Sequence, residues 1–519
     1  MKKTKLALII LDGWGITKSS RGNAITLAKT PNYNYFLKHY PNSKLIAHGE
    51  KVGLPKGQDG NSEAGHINIG AGRIVLQDDT YITKSIKDGT FFKNPAFMDA
   101  VQHVKKNNSS MHLLGLLSGY QSAHVNPLHV SSIFQMLKEK NIKKVYVHLF
   151  TDGRDSSQHS AIRFIKELKK GFRNGEKIVT VMGRFYAMDR NKKWDRTEKA
   201  YDAMVNGKAL FAESAEEAIM QSYNRNETDE FITPYVITEN GKPIAKIQEN
   251  DSIIFFNLRS DRARQMTKLF VQKNICDRNQ NCKINRKRIK NIKFVSMTDF
   301  GPDLDDILTA FPSRDIEQTL PMQLKDYKQL YIAESEKYAH ITYFLNGGYK
   351  DPVAGEDREM VFSPDVRSYA SVPEMSSYKL TDKIIKYVQT DKYDFFAINF
   401  ANSDMVGHTG DLKAGIKAVE SIDNCLGKLH KVFKSKGFVI MITADHGNIE
   451  EMINLKTGEV DTKHSKNFVP FILINADPKI NKLNDGILGN IAPTILDVMN
   501  LPKPKEMTSK SLIQKNGSR

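Results

Sequence analysis

The stretch Leu6-Ala-Leu-Ile-Ile-Leu-Asp12 decides the fold class of this chain. Six consecutive apolar residues predict a buried parallel strand, and a carboxylate follows directly at its carboxyl end. The pattern recurs far along the chain, where the apolar runs 393–400 and 438–443 precede Asp404 and Asp445. In open α/β sheets, ligands bind beyond the carboxyl ends of the strands, so we expect the three carboxylates to meet there. One aspartate after a strand is usually a helix cap or a turn residue, so the prediction depends on the repetition.

Ser62 lies in Asp59-Gly-Asn-Ser-Glu-Ala-Gly-His66, a loop that is predicted to open a helix. Two interpretations fit this loop. Ser62 is either a helix N-cap with Glu63 in the first turn, or a nucleophile whose phosphoryl group is stabilised by the free N–H groups of the helix. A serine hydroxyl is a weak nucleophile until a metal or a base lowers its pKa. Three carboxylates, three imidazoles and one hydroxyl meet the needs of a two-metal phosphoryl-transfer site: Asp12, Ser62, Asp404, His408, Asp445, His446 and His464.

Eight motifs, in order along nearly the whole chain, resemble the signature series of the cofactor-independent phosphoglycerate mutases, a family of the alkaline phosphatase superfamily. They are Asp12-Gly-Trp-Gly15, Asn61-Ser-Glu-Ala-Gly-His66, Asp152-Gly-Arg-Asp155, Gly183-Arg-Phe-Tyr-Ala-Met-Asp-Arg190, Arg259-Ser-Asp-Arg262, Glu334-Ser-Glu-Lys-Tyr-Ala-His340, Asn402-Ser-Asp-Met-Val-Gly-His408 and Ala444-Asp-His-Gly-Asn448.

This resemblance implies interconversion of 3-phosphoglycerate and 2-phosphoglycerate in glycolysis and gluconeogenesis, without 2,3-bisphosphoglycerate. It implies a phosphoserine intermediate on Ser62 and a proton carrier at Asp155. It also implies two manganese ions, one held by Asp404, His408 and His464, and the other by Asp12, Ser62, Asp445 and His446. Mixed imidazole and carboxylate ligands also suit zinc or iron better than magnesium or calcium. His464, taken alone, reads as a histidine in an exposed loop.

Several arginines follow the ends of predicted strands in the middle of the chain. Arg154 and Asp155 come after the predicted strand 144–150, and Arg259 and Arg262 come after the apolar run 253–256. Guanidinium groups are permanently charged forks that match phosphate and carboxylate oxygens. The resemblance assigns substrate binding to Arg154, Asp155, Arg184, Arg190, Arg259, Arg262 and Lys337, the last of which contacts the ligand only after domain closure.

One family position departs from the pattern. The chain reads Ser118-Gly-Tyr-Gln-Ser-Ala-His124, one residue shorter than the corresponding family motif. His124 either takes the role of the substrate-binding histidine or aligns with the next family histidine. In the second case, Ser122 stands at the binding position.

The order of these motifs predicts that one domain is inserted into another. Both domains are predicted to be α/β, with a discontinuous metal-binding domain at 1–78 and 311–519 and a substrate-binding domain at 81–308. The crossings at 77–81 and 308–312 are short enough to act as hinges. Within the insert, 144–150 and 177–182 are predicted strands, and Ser214-Ala-Glu-Glu217 predicts a capped helix that runs to about Tyr223.

The composition agrees with a large cytoplasmic enzyme, for which the resemblance suggests a monomer. The six apolar residues after the basic N-terminus are too few for a signal peptide or a membrane span. The three cysteines, Cys276, Cys282 and Cys425, are odd in number and form no CxxC pair, which predicts reduced thiols.

The net charge of +17 leaves a second class of function open. The basic run 283–293 is a candidate nucleic-acid patch, yet it lacks interleaved aromatic residues and a recognised binding module. A solvated basic face is the simpler interpretation, and no nucleic-acid or membrane partner is expected. The alternatives to a mutase are a metal-dependent phosphohydrolase of the same superfamily and a basic polyanion-binding protein.

Overall fold

The computed structural model describes residues 3–280, 282–284, 286 and 288–514. The strands are β1 (Leu6–Leu11), β2 (Asn42–Ile46), β3 (Met111–Leu117), β4 (Val145–Thr151), β5 (Lys177–Gly183), β6 (Leu210–Ala212), β7 (Tyr235–Glu239), β8 (Lys242–Pro243), β9 (Ser252–Phe255), β10 (Lys293–Thr298), β11 (Ile307–Phe311), β12 (Gln329–Glu334), β13 (Asp357–Val361), β14 (Phe395–Phe400), β15 (Val439–Thr443), β16 (Val469–Ile474) and β17 (Gly486–Ile487).

The α-helices are α1 (Ala24–Leu27), α2 (Pro31–His39), α3 (Ser62–Ala71), α4 (Asp78–Lys87), α5 (Pro95–Asn107), α6 (Pro127–Glu139), α7 (Ala161–Lys170), α8 (Arg184–Ala187), α9 (Trp194–Val205), α10 (Ala215–Asn224), α11 (Ser260–Val271), α12 (Ile275–Arg278), α13 (Leu320–Gln323), α14 (Ser377–Gln389), α15 (Asn402–Gly407), α16 (Leu412–Ser435) and α17 (Ile491–Val498). Within the described part of the chain, none of these helices combines the length and apolar character that a membrane crossing needs.

The chain divides into two compact units. Unit 1 comprises the chain up to Gln77 and from Arg314 onward, and unit 2 comprises Asp78–Ser313. The first crossing falls in the predicted range 77–81. The second lies just beyond the predicted 308–312, because Ile307–Phe311 pairs with β10 as an edge strand of unit 2.

Unit 1 contains a sheet in which β1 lies between β14 and β15, parallel to both. The three strands end at nearly the same level, since Leu11 pairs with Phe400 and Ile10 pairs with Thr443. All residues of these strands are buried, and α14 and α16 pack against the sheet. The predicted parallel strands are therefore confirmed. The strand order is β13-β12-β14-β1-β15-β16-β2-β17.

Unit 2 has its own sheet and its own hydrophobic core. Its central strands are parallel, so the segments that follow β4, β5 and β9 leave from the same edge. Two α/β units agree with the predicted fold class. Part of the basic run 283–293 lies outside the described residues, while Lys293 opens β10 and pairs with Asp99 at 2.8 Å. The strand order is β11-β10-β9-β3-β4-β5-β7-β6, with β8 paired to β7.

Two predictions about helix starts have different outcomes. Ser214 caps α10 by accepting a hydrogen bond from the Glu217 N–H at 3.1 Å, which confirms the predicted cap. The interpretation of Ser62 as an N-cap is wrong by one residue, because Asn61 caps α3 and accepts from the Ala64 N–H at 2.8 Å. Ser62 is thus the first residue of the helix, and its hydroxyl is not used for capping.

The prediction that all three cysteines are reduced is also wrong. Cys276 and Cys282 form a disulfide, and only Cys425 is a free, buried thiol among the described residues. The chain turns back after α12 and brings the two Cα atoms within 4.8 Å, a separation that a disulfide can span. The prediction rested on the odd number of cysteines and the absence of a CxxC motif, and neither of these indicates how the chain turns between Cys276 and Cys282.

Candidate active site

The carboxyl edge of the unit 1 sheet brings together the side chains that were predicted to bind metal. Asp12 follows β1, Asp404 lies in α15 directly after β14, and Asp445 follows β15. In a first group, His408 Nε2 and His464 Nε2 each lie 3.3 Å from Asp404 Oδ1 and 3.0 Å from each other. The spacing of Asp404 and His408 places both on one side of a helical turn.

A second group is built around Ser62. His446 Nε2 lies 3.5 Å from both Asp12 Oδ1 and Asp445 Oδ2. The Ser62 hydroxyl is 2.9 Å from His446 Nε2 and 3.2 Å from Asp12 Oδ1. Within each group of acidic and imidazole side chains, the potential ligand atoms lie within 4.8 Å of one another.

The three histidines share one orientation. Each places Nδ1 next to a backbone carbonyl: Thr462 O at 2.8 Å for His408, Gly447 O at 3.2 Å for His446, and Gly60 O at 2.8 Å for His464. A carbonyl only accepts, so Nδ1 must carry the proton. In the neutral ring, the lone pair is then on Nε2, which faces the carboxylates. Histidine ligands of metal ions are usually oriented in this way.

The buried carboxylates concentrate negative charge. Burial, with the neighbouring Asp445, raises the pKa of Asp12 above its ordinary value. Burial also opposes ionisation of Asp404, but the charge of Lys337 acts against burial, and the pKa of Asp404 lies well below its ordinary value. Such a cluster is stable only with cations among the carboxylates.

Lys337 provides one such cation. Its Nζ lies 2.6 Å from both Asp12 Oδ1 and Asp404 Oδ2, and it donates to Ser62 Oγ at 2.9 Å. Burial would lower the pKa of Lys337, but the two carboxylates outweigh burial and raise it. The residue that was predicted to bind substrate therefore lies within the predicted metal cluster.

The donor set fits divalent metal ions. Asp445 Oδ2 is buried and accepts no hydrogen bond from the described residues, although His66 Nδ1 and His446 Nε2 lie at 3.4 and 3.5 Å. A buried carboxylate oxygen without a donor is costly unless a cation binds it. Imidazole nitrogens together with carboxylate oxygens form a ligand set suited to manganese, zinc or iron.

Two glycines allow the segments to approach so closely. A Cβ atom on Gly13 would lie 2.8 Å from the Cα of Asp404, and the backbone of Gly13 has a φ of +71°. A Cβ atom on Gly65 in α3 would lie 2.7 Å from the Cβ of Asp445. Any larger residue would push Ser62 or Asp12 away from its partners.

Three residues that orient the carboxylates were not singled out from the sequence. Asn399 Nδ2 donates to Asp12 Oδ2 at 2.8 Å and lies 3.0 Å from His66 Nε2. Asn448 Nδ2 donates to Asp404 Oδ1 at 2.8 Å. The sequence did offer a signal for each of the three. Asn399 is a polar residue near the end of an otherwise apolar strand, and His66 and Asn448 lie inside the quoted motifs.

Glu450 was missed as well. It is 1% exposed, and its Oε2 accepts from the backbone N–H groups of Gly15 at 2.9 Å and Asn448 at 2.8 Å. Its Oε1 accepts from Asn467 Nδ2 at 3.0 Å and from the Ser465 hydroxyl. One carboxylate therefore joins the loop after β1, which carries Asp12, to two parts of the β15–β16 connection, which carry His446 and His464.

In unit 2, the loop after β4 meets the start of α8. Buried Arg184 places Nη1 2.5 Å from Asp152 Oδ1 and 3.2 Å from Asp155 Oδ2. Asp152 Oδ1 also accepts from the N–H groups of Arg154 and Asp155, at 3.2 and 3.1 Å. This network fixes the loop that carries Asp155, whose side chain is 29% exposed.

The other predicted arginines gather around this loop. Burial, with repulsion from Arg184, Arg190 and Arg154, lowers the pKa of Arg262 below its ordinary value. Arg190 and Arg259 share one partner, Asp261, at 2.8 and 3.6 Å. Clustered guanidinium groups that outnumber their carboxylate partners make an attractive site for an anion.

His124 and Ser122 both lie in the 118–124 loop beside Asp155. Burial, with the charge of Arg184, lowers the pKa of His124 to about 4, and its buried Nδ1 has no hydrogen-bond partner among the described residues. Ser122 instead donates to Asp155 Oδ2 at 2.6 Å. The structure thus places both candidates next to the arginine cluster.

Comparisons with known proteins agree with this division of the chain. Residues 82–302 match a family model described as BPG-independent PGAM N-terminus, and residues 315–483 match one described as type I phosphodiesterase / nucleotide pyrophosphatase. Curated proteins named 2,3-bisphosphoglycerate-independent phosphoglycerate mutase are similar over the full length. The Clostridium acetobutylicum protein is 49% identical over 99% of this chain and 100% of its own, and the Clostridioides difficile protein is 50% identical with the same coverage.

A solved structure shows the same similarity in three dimensions. It is a crystal structure of Leishmania mexicana phosphoglycerate mutase at low cobalt concentration. Its sequence is 28% identical, the match covers 99% of this chain and 98% of that one, and the TM-score is 0.73.

Proposed function

This chain belongs to the family of 2,3-bisphosphoglycerate-independent phosphoglycerate mutases, and we propose from its residues how it carries out the reaction. It is an isomerase of the phosphoglycerates with an alkaline-phosphatase-like unit. We propose that it converts 3-phosphoglycerate to 2-phosphoglycerate and back through a phosphoserine on Ser62. The observation that carries this proposal is the position of the Ser62 hydroxyl, within 2.9–3.2 Å of His446, Lys337 and Asp12.

Ser62 has the surroundings of an activated nucleophile. The ammonium group of Lys337 and the N-terminal end of α3 both favour a negative charge on Ser62 Oγ. His446 Nε2 and Asp12 Oδ1 are the acceptors within reach of the hydroxyl proton. After transfer, the phosphoryl group would lie against the free N–H groups at the start of α3.

We assign one divalent ion to Asp404, His408 and His464, and a second to Asp12, Ser62, Asp445 and His446. When bound, such ions lower the pKa of a serine hydroxyl and neutralise the charge of phosphoryl oxygens. The three Nε2 lone pairs and Asp445 Oδ2, which accepts no hydrogen bond from the residues that the structure describes, support this assignment. Manganese is our expectation for both ions.

Atoms balance over two transfers. In the first, the Ser62 proton passes to His446 Nε2 or Asp12 Oδ1, the bond between phosphorus and the 3-oxygen breaks as the bond to Ser62 Oγ forms, and the 3-oxygen takes a proton that Asp155 carries. In the second, Asp155 takes the proton of the 2-hydroxyl, whose oxygen attacks the phosphoserine, and the released Ser62 Oγ takes its proton back from His446 Nε2 or Asp12 Oδ1. The arginine cluster of unit 2 would retain glycerate between the transfers, through Arg154, Arg184, Arg190, Arg259 and Arg262.

A coupled assay of 2-phosphoglycerate formation from 3-phosphoglycerate tests the proposal. We expect turnover with manganese and without added 2,3-bisphosphoglycerate, and loss of turnover after treatment with EDTA that manganese restores. Turnover by metal-stripped protein would contradict the two-metal site. Release of inorganic phosphate in place of 2-phosphoglycerate would instead identify a metal-dependent phosphohydrolase. The expected cytoplasmic location and monomeric state stay predictions.

A further inference from the structure

The 118–124 loop contacts both aspartates of the Asp152-Gly-Arg-Asp155 motif. The Ser118 hydroxyl donates to Asp152 Oδ2 at 2.5 Å, and the Ser122 hydroxyl donates to Asp155 Oδ2 at 2.6 Å. Asp152 is buried and has further donors in Arg184 and two backbone N–H groups. Asp155 is more exposed than Asp152 and accepts from fewer donors. Its orientation therefore depends more on the hydrogen bond from Ser122 than that of Asp152 depends on Ser118.

The direction of the proton in this contact is fixed by the local backbone. The His124 N–H donates to Ser122 Oγ at 3.2 Å, while the Ser122 N–H donates to Gly119 O at 3.2 Å. Ser122 Oγ therefore accepts one hydrogen bond, and its own proton is directed at Asp155. Ser122 is 6% exposed, so water competes little for this hydroxyl.

In this arrangement, the described residues donate hydrogen bonds to only one oxygen of Asp155. Ser122 Oγ and Arg184 Nη1 both contact Oδ2, at 2.6 and 3.2 Å, and Oδ1 accepts no hydrogen bond from the described residues. Two donors on one oxygen fix the rotation of the carboxyl group. They leave the second oxygen for a ligand.

We infer that Ser122 is the positioning residue that orients Asp155 so that Oδ1 exchanges protons with the hydroxyl groups of a bound glycerate. This inference rests on the proposed role of Asp155 as proton carrier. Ser122 would then not bind the substrate directly, because its hydroxyl proton already forms the hydrogen bond to Asp155.

The same contact affects the charge state of Asp155. Burial raises the pKa of Asp155, but the hydrogen bond from Ser122 and the charge of Arg184 outweigh burial and lower it. Loss of the hydroxyl should therefore raise the pKa of Asp155. An effect on both orientation and acidity distinguishes positioning from simple packing.

The test compares Ser122→Ala with Ser122→Thr in the full-length, manganese-loaded protein. We expect Ser122→Ala to lower kcat about tenfold, a part of the roughly 10²–10⁴-fold that proton transfer contributes, and to change KM less than about twofold. Ser122→Thr retains the hydroxyl and should restore kcat. Ser131→Ala is a matched control, because that hydroxyl bonds Leu128 O in α6 and does not contact Asp155.

A titration separate from turnover completes the test. Carboxyl-carbon NMR of aspartate-labelled, metal-free protein, assigned with Asp155→Asn, should show a higher pKa for Asp155 in Ser122→Ala than in wild type. An unchanged titration, or a kcat within twofold of wild type, would overturn the inference. A lowered kcat that Ser122→Thr fails to restore would likewise reduce Ser122 to a packing role.

The variant Asp155→Asn separates the role of Asp155 from that of Ser122. Full activity of Asp155→Asn would overturn the proton-carrier role in the proposed function itself. An inactive Asp155→Asn beside a fully active Ser122→Ala would overturn the role of Ser122 alone.

Discussion

Among single residues, Ser62 stands out because its hydroxyl contacts three ionisable side chains. Its hydroxyl is buried at the first position of α3, next to an ammonium group, an imidazole and a carboxylate. A serine with only a structural role would need one partner. We expect Ser62→Ala to lower mutase turnover by about 10⁴-fold or more, because the group that receives the phosphoryl is lost.

The coupled assay and intact-protein mass spectrometry measure this effect. Wild type incubated with substrate should gain one phosphoryl group, and Ser62→Ala should gain none. Ser435→Ala is the control, since that hydroxyl bonds Val432 O at the end of α16. Substantial turnover by Ser62→Ala would disprove the covalent route.

Glu334 gives a prediction about stability rather than activity. It is fully buried at the end of β12, where Oε1 accepts from the Ser376 N–H at 3.0 Å. Burial raises its pKa from 4.5 to about 7. Protonated Glu334 therefore contributes stability that is complete below pH 4.5 and is lost as the pH rises through about 7.

We expect Glu334→Gln, which stays neutral, to gain stability relative to wild type between pH 4.5 and 7, reaching about 3 kcal/mol. Thermal unfolding of metal-stripped protein at pH 5 and pH 8 measures the difference. Glu374→Gln is an exposed control that should show no such trend. An equal difference at both pH values would mean that Glu334 is ionised in the folded protein throughout.

At the scale of elements, the loops after the strands determine the site, and Glu450 joins the loop after β1 to both ends of the β15–β16 connection. Glutamine in its place would present an N–H group to donors that now meet a carboxylate. We expect Glu450→Gln to weaken manganese binding at least tenfold, as is common for residues that orient metal ligands. Calorimetric titration of metal-stripped protein measures the affinity.

The control for Glu450 is the nearby exposed Glu459, whose change to glutamine should leave the affinity unchanged. Melting temperature provides a second measurement, since unpaired N–H groups of Gly15 and Asn448 should lower it. Wild-type manganese affinity in Glu450→Gln would show that the two loops hold their positions without it.

The sequence predicted elements better than it predicted contacts between them. The strand before Asp12 was predicted to the residue, because a fully buried parallel strand is apolar at every position. Ser62 was misplaced by one position, since Asn61 and Ser62 are both good caps and only the backbone distinguishes them. The role of Glu450 could not be predicted, because the sequence does not show that its own loop folds back on itself and meets Gly15, which is 435 positions away.

At the scale of the molecule, the two units differ in how the chain builds them. Unit 2 is one continuous segment with its own sheet and core. We expect the fragment 78–313 to fold alone, with a helical far-UV circular dichroism spectrum and a cooperative thermal transition. A fragment that lacks such a transition would contradict the independence of this unit.

Residues 1–77 are the matched comparison. Their first strand, β1, pairs with β14 and β15, so this fragment should not acquire stable tertiary structure. A cooperative transition in 1–77 would show that β1 has another way to bury its apolar side chains.

The central position of β1 also has a consequence during translation. This strand is synthesised long before its neighbour β14, because the ribosome needs roughly 20–80 s at typical elongation rates to travel from Leu11 to Phe395. During that interval the apolar strand β1 has no partner strand, while unit 2, which follows it in the chain, can already fold. Correct folding should therefore depend on chaperones that bind β1 until β14 has been synthesised.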